Sequence, residues 1–187
     1  MAIQRLFVRK QDAFAHEANH MLKTIQEELN IPATKVTIYE RYDIEHLDEE
    51  ALEKAKHLIF SEPPVDIITH AIDTPNDAFT FAIEYVPGQY DQRADSSEQC
   101  ISMLTLTTGH TVRCARLFVI EGAITEEQQS TIKAHYINPV DSREANLDIP
   151  STLAYQLEEP APIANINGFT TMSNSELEML IKDYGLA

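Results

Sequence analysis

Apolar residues in the first part of the chain switch between two spacings. Ile3 to Val8 form a short apolar run suited to a strand. Phe14, Ala18, Met21, Leu22, Ile25 and Leu29 then recur at the interval of one helix face, with Asp12 placed to cap it. Asn30-Ile-Pro32 stops that helix, because Pro cannot continue it and turns Ile31 away from helical angles. Val36, Ile38, Tyr42 and Ile44 alternate with polar residues as a half-buried strand does. Asp48-Glu-Glu opens a second helix with Leu52, Ala55, Leu58 and Ile59 on one side, and Pro63-Pro64 closes it before a strand over Val65 to Ile72.

The same order of elements then returns. Phe79 to Val86 reads as a strand ended by Pro87-Gly88, and Asp95 to Leu106 as a helix with Asp95 and Glu98 as its capping pair. Val112 to Ile120 is a strand, Thr125-Glu-Glu caps a helix through Tyr136, and Asn138-Pro-Val-Asp141 follows. Sliding the chain along itself by about 76 residues sets Val36 on Val112, Tyr42 on Phe118 and Ile44 on Ile120, and brings Pro64-Val-Asp66 onto Pro139-Val-Asp141. Two copies of a β-α-β-α-β unit, 1–73 and 78–145, account for this repeat. Each copy alone leaves an apolar sheet face and open edges, so the pair is expected to pack about a pseudo-twofold axis. The expectation is an α+β domain over 1–145, a pseudo-dimer with antiparallel sheets and outer helices. Residues 146–172, with Pro160, Pro162 and no period, read as a linker. Ser173-Asn-Ser-Glu176 forms a capping box for a last helix, with Leu177, Leu180, Ile181 and Tyr184 on one face and Gly185 at its end.

Charge narrows the choice of partners. Against 14 basic residues stand 30 acidic ones, a formal charge of -16, which repels phosphate backbones and anionic lipid surfaces. Neither nucleic acid nor a membrane is an expected partner. No run has the length of a membrane span, and Met-Ala-Ile-Gln-Arg lacks the apolar stretch of a secretion signal. Cys100 and Cys114 are too few for a disulfide framework and fall in apolar-patterned segments. A reducing cytoplasm is the expected setting.

Candidate chemistry is sparse. His16-Glu-Ala-Asn-His20 matches the zinc-protease pattern in which two imidazoles and a carboxylate base share a helix face. At about 100° per residue, however, the apolar face of this helix puts His16 and His20 toward solvent, and no third ligand stands out. Cys100 and His110 suggest a thiol and its base, but Cys100 lies among Met103 and Leu104 on a helix, without the sharp turn that presents a nucleophile. The five glycines are scattered and form no phosphate cradle, so ATP binding within this chain is not expected. Asp48-Glu49-Glu50 and Glu126-Glu127 stand at helix starts, where the dipole favours them. The loop from Gln89 to Arg93 and the later Asp141-Ser-Arg143 are the segments richest in hydrogen-bonding side chains. They either stiffen their own loops or form a docking surface.

Pro87-Gly-Gln-Tyr-Asp-Gln-Arg-Ala-Asp-Ser-Ser97, with Asn138-Pro-Val-Asp-Ser-Arg143, resembles the amino-terminal region of large single-chain phosphoribosylformylglycinamidine synthases, glutamine amidotransferases of purine biosynthesis. The resemblance runs through most of the chain. It implies a fused pair of the small accessory subunit found separately in multi-subunit forms of the enzyme. Such a domain is non-catalytic, and its partners are the synthetase and glutaminase domains of the same longer polypeptide. ATP and Mg belong to that whole enzyme, and no cofactor is expected here. Its glutaminase nucleophile lies in a distant carboxy-terminal domain and is not carried onto Cys100. Gln89, Asp91, Arg93, Asp141 and Arg143 become the candidate interdomain contacts, and 173–187 the first helix of a linker domain. The chain is then expected to be a fragment. The alternative is a free-standing duplicated module that binds a small molecule at its internal interface.

Overall fold

In the computed structural model, which describes residues 3–72, 74–75, 77–154, 163 and 165–185, the alternating pattern around Val36 to Ile44 becomes one 13-residue strand, β2, Ala33–Glu45. Before it come β1, Gln4–Lys10, and α1, His16–Glu27; after it come α2, Glu49–Ala55, and β3, Asp66–Thr69. The second series is β4, Phe79–Tyr85, α3, Gln92–Thr105, β5, Thr111–Gly122, α4, Glu126–Tyr136, and β6, Ser142–Glu144. The fold is α+β. All six strands join one antiparallel sheet in the order β3-β1-β2-β5-β4-β6, where the sequence suggested separate sheets. The reason is the long seam between β2 and β5, which pair from Ala33↔Gly122 to Glu45↔Thr111 and leave neither an open edge. Gly122 is required at that corner: its φ is +137°, and a Cβ there would meet the Pro32 carbonyl oxygen at 2.6 Å.

Even-numbered residues of β2 and β5 face the helices, because side chains alternate along a strand and Tyr42 stands opposite Cys114. Ala18, Met21 and Ile25 of α1 and Ile132 of α4 pack on Val36, Phe81, Phe118 and Ile120. Leu52 and Ala55 of α2 and Ile101 of α3 pack on Leu6, Tyr42, Ile44 and Val112. Leu6, Ile25, Phe81 and Ile101 are fully buried, each worth ~1.5–3 kcal/mol of transfer free energy.

The opposite face carries Phe7, Tyr39, Ala82, Leu117 and Val119, and residues from the loops cover it. Here the expected linker begins differently. Arg5 Nη1 donates to the Leu147 carbonyl at 2.5 Å, Arg41 Nη1 to that of Asn146 at 2.7 Å, and the Leu153 N–H to Glu45 at 3.1 Å. Residues 146–153 are thus bound to the sheet, and the first compact unit runs to Tyr155. A second unit, Gln156–Ala187, contains the helix α5, Asn174–Asp183, opened by the Ser173 and Glu176 capping box. Pro160, Pro162, Leu186 and Ala187 lie outside the described residues.

Several local expectations change. Asp12 does not cap α1: it sits in a 3-10 turn, Asp12–Phe14, and its carboxylate pairs with Arg9 at 3.2 Å. Phe14 is accordingly exposed. Asp91, not Asp95, caps α3, accepting from the Ala94 N–H at 3.0 Å. Glu98 accepts instead from the Val112 N–H. After Ala55 a π-helical turn, Lys56–Phe60, rotates the face, so Leu58 is 72% exposed and Phe60 turns inward beside Tyr42. Among the described residues, no helix is long and apolar enough to cross a membrane.

Candidate functional site

At the middle of the β2·β5 seam, on the helix face, Glu40 stands opposite Arg116. Both interrupt apolar positions, Glu40 between Ile38 and Tyr42, Arg116 between Cys114 and Phe118. Arg116 reaches Glu17 of α1 at 2.6 Å and Glu40 at 3.3 Å, with its guanidinium 5.5 Å from the centre of the Phe118 ring. Arg93, from the first turn of α3, lies 3.5 Å from Glu40 and donates to the Tyr42 hydroxyl at 3.0 Å. Burial, opposed by Arg93, pushes the Tyr42 phenol up to about 12. Burial disfavours the charge of Arg93 itself, but Glu40 and Tyr42 outweigh it and its pKa is raised.

Beside this cluster a cleft of about 890 Å³ opens over the sheet. It lies where the β4·β5 ladder ends at Ile83↔Arg116, while on the other edge of β4 the pairing with β6 continues through Glu84 and Tyr85. Met21, Ile38, Ile83 and Phe118 form its apolar floor; α1 supplies His20, Glu28 directly follows α1, and α4 supplies His135 and Tyr136. Cys114 also lines it; burial, then the neighbouring Asp91 carboxylate, raises its thiol well above the ordinary value, so it is held protonated.

Of the five residues singled out in the sequence, Asp91, Arg93 and Asp141 line this cleft together. Arg143 stands on β6 and grips Glu84 at 2.8 and 2.7 Å, beside a smaller cavity of about 270 Å³ that also reaches Asp91. Gln89 is exposed in the turn, its N–H donating to the Val86 carbonyl at 3.0 Å. His16 and His20 are exposed, and Glu17, the carboxylate between them, is engaged by Arg116. Among the described residues, no three His, Cys, Asp or Glu side chains are grouped to hold a metal ion. The His110 ring lies against the Thr105 and Thr107 hydroxyls and the His46 carbonyl, not against Cys100.

Sequence reasoning passed over Glu28, Glu40, Arg116, His135 and Tyr136. Glu40 and Arg116 left a signal, since each breaks the apolar alternation of a strand. The others come from α1 and α4, over a hundred residues apart, and only the sheet brings them together. No protein-family model matches the chain, and no curated protein matches it significantly.

Proposed function

We propose that this chain is the amino-terminal domain of a glutamine-dependent phosphoribosylformylglycinamidine synthase, without catalytic groups of its own, which keeps the synthetase and glutaminase domains in register. The observation that carries the reading is the strand order: read inward from the two edges, β3-β1-β2 and β6-β4-β5 repeat one arrangement. The registers support the same reading. Gln4↔Ile44 corresponds to Phe79↔Ile120, and Lys10↔Asp66 to Tyr85↔Ser142, shifts of 75 residues on the first strand and 76 on its partners. On this reading the halves are copies of one unit, with Glu40↔Arg116 at the pseudo-twofold axis. That is the form expected of a fused accessory-subunit pair, which the two polar motifs resemble.

Such an enzyme consumes ATP with Mg and takes nitrogen from glutamine to convert formylglycinamide ribonucleotide to its amidine. Ammonia released at one site must reach another without loss to water, so domain contacts carry catalytic weight although they touch no reacting atom. Gln89, Asp91, Arg93, Asp141 and Arg143 are the proposed interdomain contacts, from the loop after β4, the first turn of α3, and β6 with the residue before it. The test is to delete residues 1–145 from the longer polypeptide and compare glutamine-dependent with ammonia-dependent turnover. Loss of the glutamine-dependent rate is expected; a rate equal to that of the intact enzyme overturns the reading.

A further inference from the structure

We infer that the cleft beside the Glu40 and Arg116 pair binds a small organic cation, an apolar stem ending in ammonium groups. This goes beyond a docking role and stands without it, since every group involved belongs to the first compact unit. Three observations combine. The volume, about 890 Å³, lies within the range of small-molecule sites, and the floor of Met21, Ile38, Ile83 and Phe118 is apolar. The walls carry six carboxylates, Glu17, Glu28, Glu40, Glu84, Asp91 and Asp141, against the two guanidinium groups of Arg93 and Arg116.

The pairing inside the cleft decides which charges remain. Glu17 and Glu40 are taken by Arg116 and Arg93, and Glu84 by Arg143. Asp91 is turned to the amides that open α3. Glu28 and Asp141 are left, one at the end of α1 and one before β6, without an ion pair among the described residues. An anionic ligand would meet this excess of negative charge over a cleft whose arginines are already neutralised. A neutral one would leave half-buried Asp141 and exposed Glu28 without a charged partner. An ammonium group on a short apolar stem satisfies a carboxylate while its methylenes lie on the floor, in the way lysine side chains divide between apolar and polar surroundings. Tyr85 and Tyr136 also line the cleft, and aromatic rings attract cations.

Calorimetric titration of the 187-residue protein with cadaverine, beside pentanol and magnesium chloride, tests this. Cadaverine is expected to saturate one site, pentanol to give no binding, and magnesium to give only unsaturated heat. Asp141→Asn and Glu28→Gln are each expected to weaken cadaverine by about tenfold, the loss of one charge-assisted contact. Glu126→Gln, at the exposed start of α4 and outside the cleft, is expected to leave it unchanged. Circular dichroism melting confirms that each variant is folded. Absence of saturation, equal binding of magnesium, or an equal effect of all three variants overturns the inference and leaves only diffuse attraction to an acidic chain. None of these outcomes bears on the turnover of the longer enzyme, so the two proposals fail separately.

Discussion

A guanidinium removed from water needs each of its hydrogen bonds answered inside the protein, and Arg5 shows how that requirement shapes the chain. Its Nε and Nη2 donate to the two Asp43 oxygens at 2.5 and 2.8 Å, while Nη1 and Nη2 donate to the Leu147 and Asp148 carbonyls at 2.5 and 3.0 Å. Asp43 is 2% exposed, so its charge depends on this fork and on the more distant Arg41 at 3.5 Å. Burial lowers the pKa of Arg41, with Asp43 opposing the shift. Arg5→Leu removes the fork and two backbone tethers at once. Urea unfolding is expected to show a loss of about 3 kcal/mol, because one partner of a buried ion pair is left behind. A loss under ~1 kcal/mol would mean that residues 146–153 are held by other groups. Nothing local in 146–153 forecasts this binding: the segment offers backbone groups, which every sequence has, to Arg5, Arg41 and Glu45, all more than a hundred residues away.

Elements were legible to the extent that their signals are periodic. The spacing of three to four residues located α1 and alternation located β2, while apolar runs, caps and breakers located the other elements near their positions. In the structure α3 starts at Gln92 instead of Asp95, β3 is shorter than Val65 to Ile72, and β6, of three residues, is too short to show a period. Helix starts were less legible, because several acidic residues compete for one position. Thr125 caps α4 with Gln128 answering at 3.0 Å, as its position before two glutamates suggested. At α3 the pair Asp95 and Glu98 resembled a capping box, yet Asp91 precedes them and the chain turns helical at once after it. Asp95 serves instead as acceptor for the Tyr90 hydroxyl at 2.8 Å and for Gln99 at 2.7 Å. Asp91→Ala is therefore expected to cost about 1 kcal/mol in thermal or urea unfolding, and Asp95→Ala less than half of that. The reverse order would restore Asp95 as the cap.

At the scale of the whole molecule, the α+β class follows from the pattern, but the joining of two strand sets into one sheet does not. It depends on β2 and β5 finding each other, a pairing whose central residues, Glu40 and Arg116, are 76 apart and which alternation alone does not specify. The cleft inherits the same obscurity, since it is made where one ladder stops and the strands part. The seam has a further consequence, for what the protein does at high concentration. A β2 strand meeting β2 of another molecule about the same central position would set Glu40 against Glu40, and β5 meeting β5 would set Arg116 against Arg116. Like charges directly opposed across strands repel, whereas the pairing within one chain joins opposite signs. Pairing of like strands between molecules is thereby disfavoured at its central position. Sedimentation from micromolar to millimolar protein is expected to give one monomeric species, and dimers joined β2 to β2 or β5 to β5 that grow with concentration would show that this central pair does not govern which strands meet.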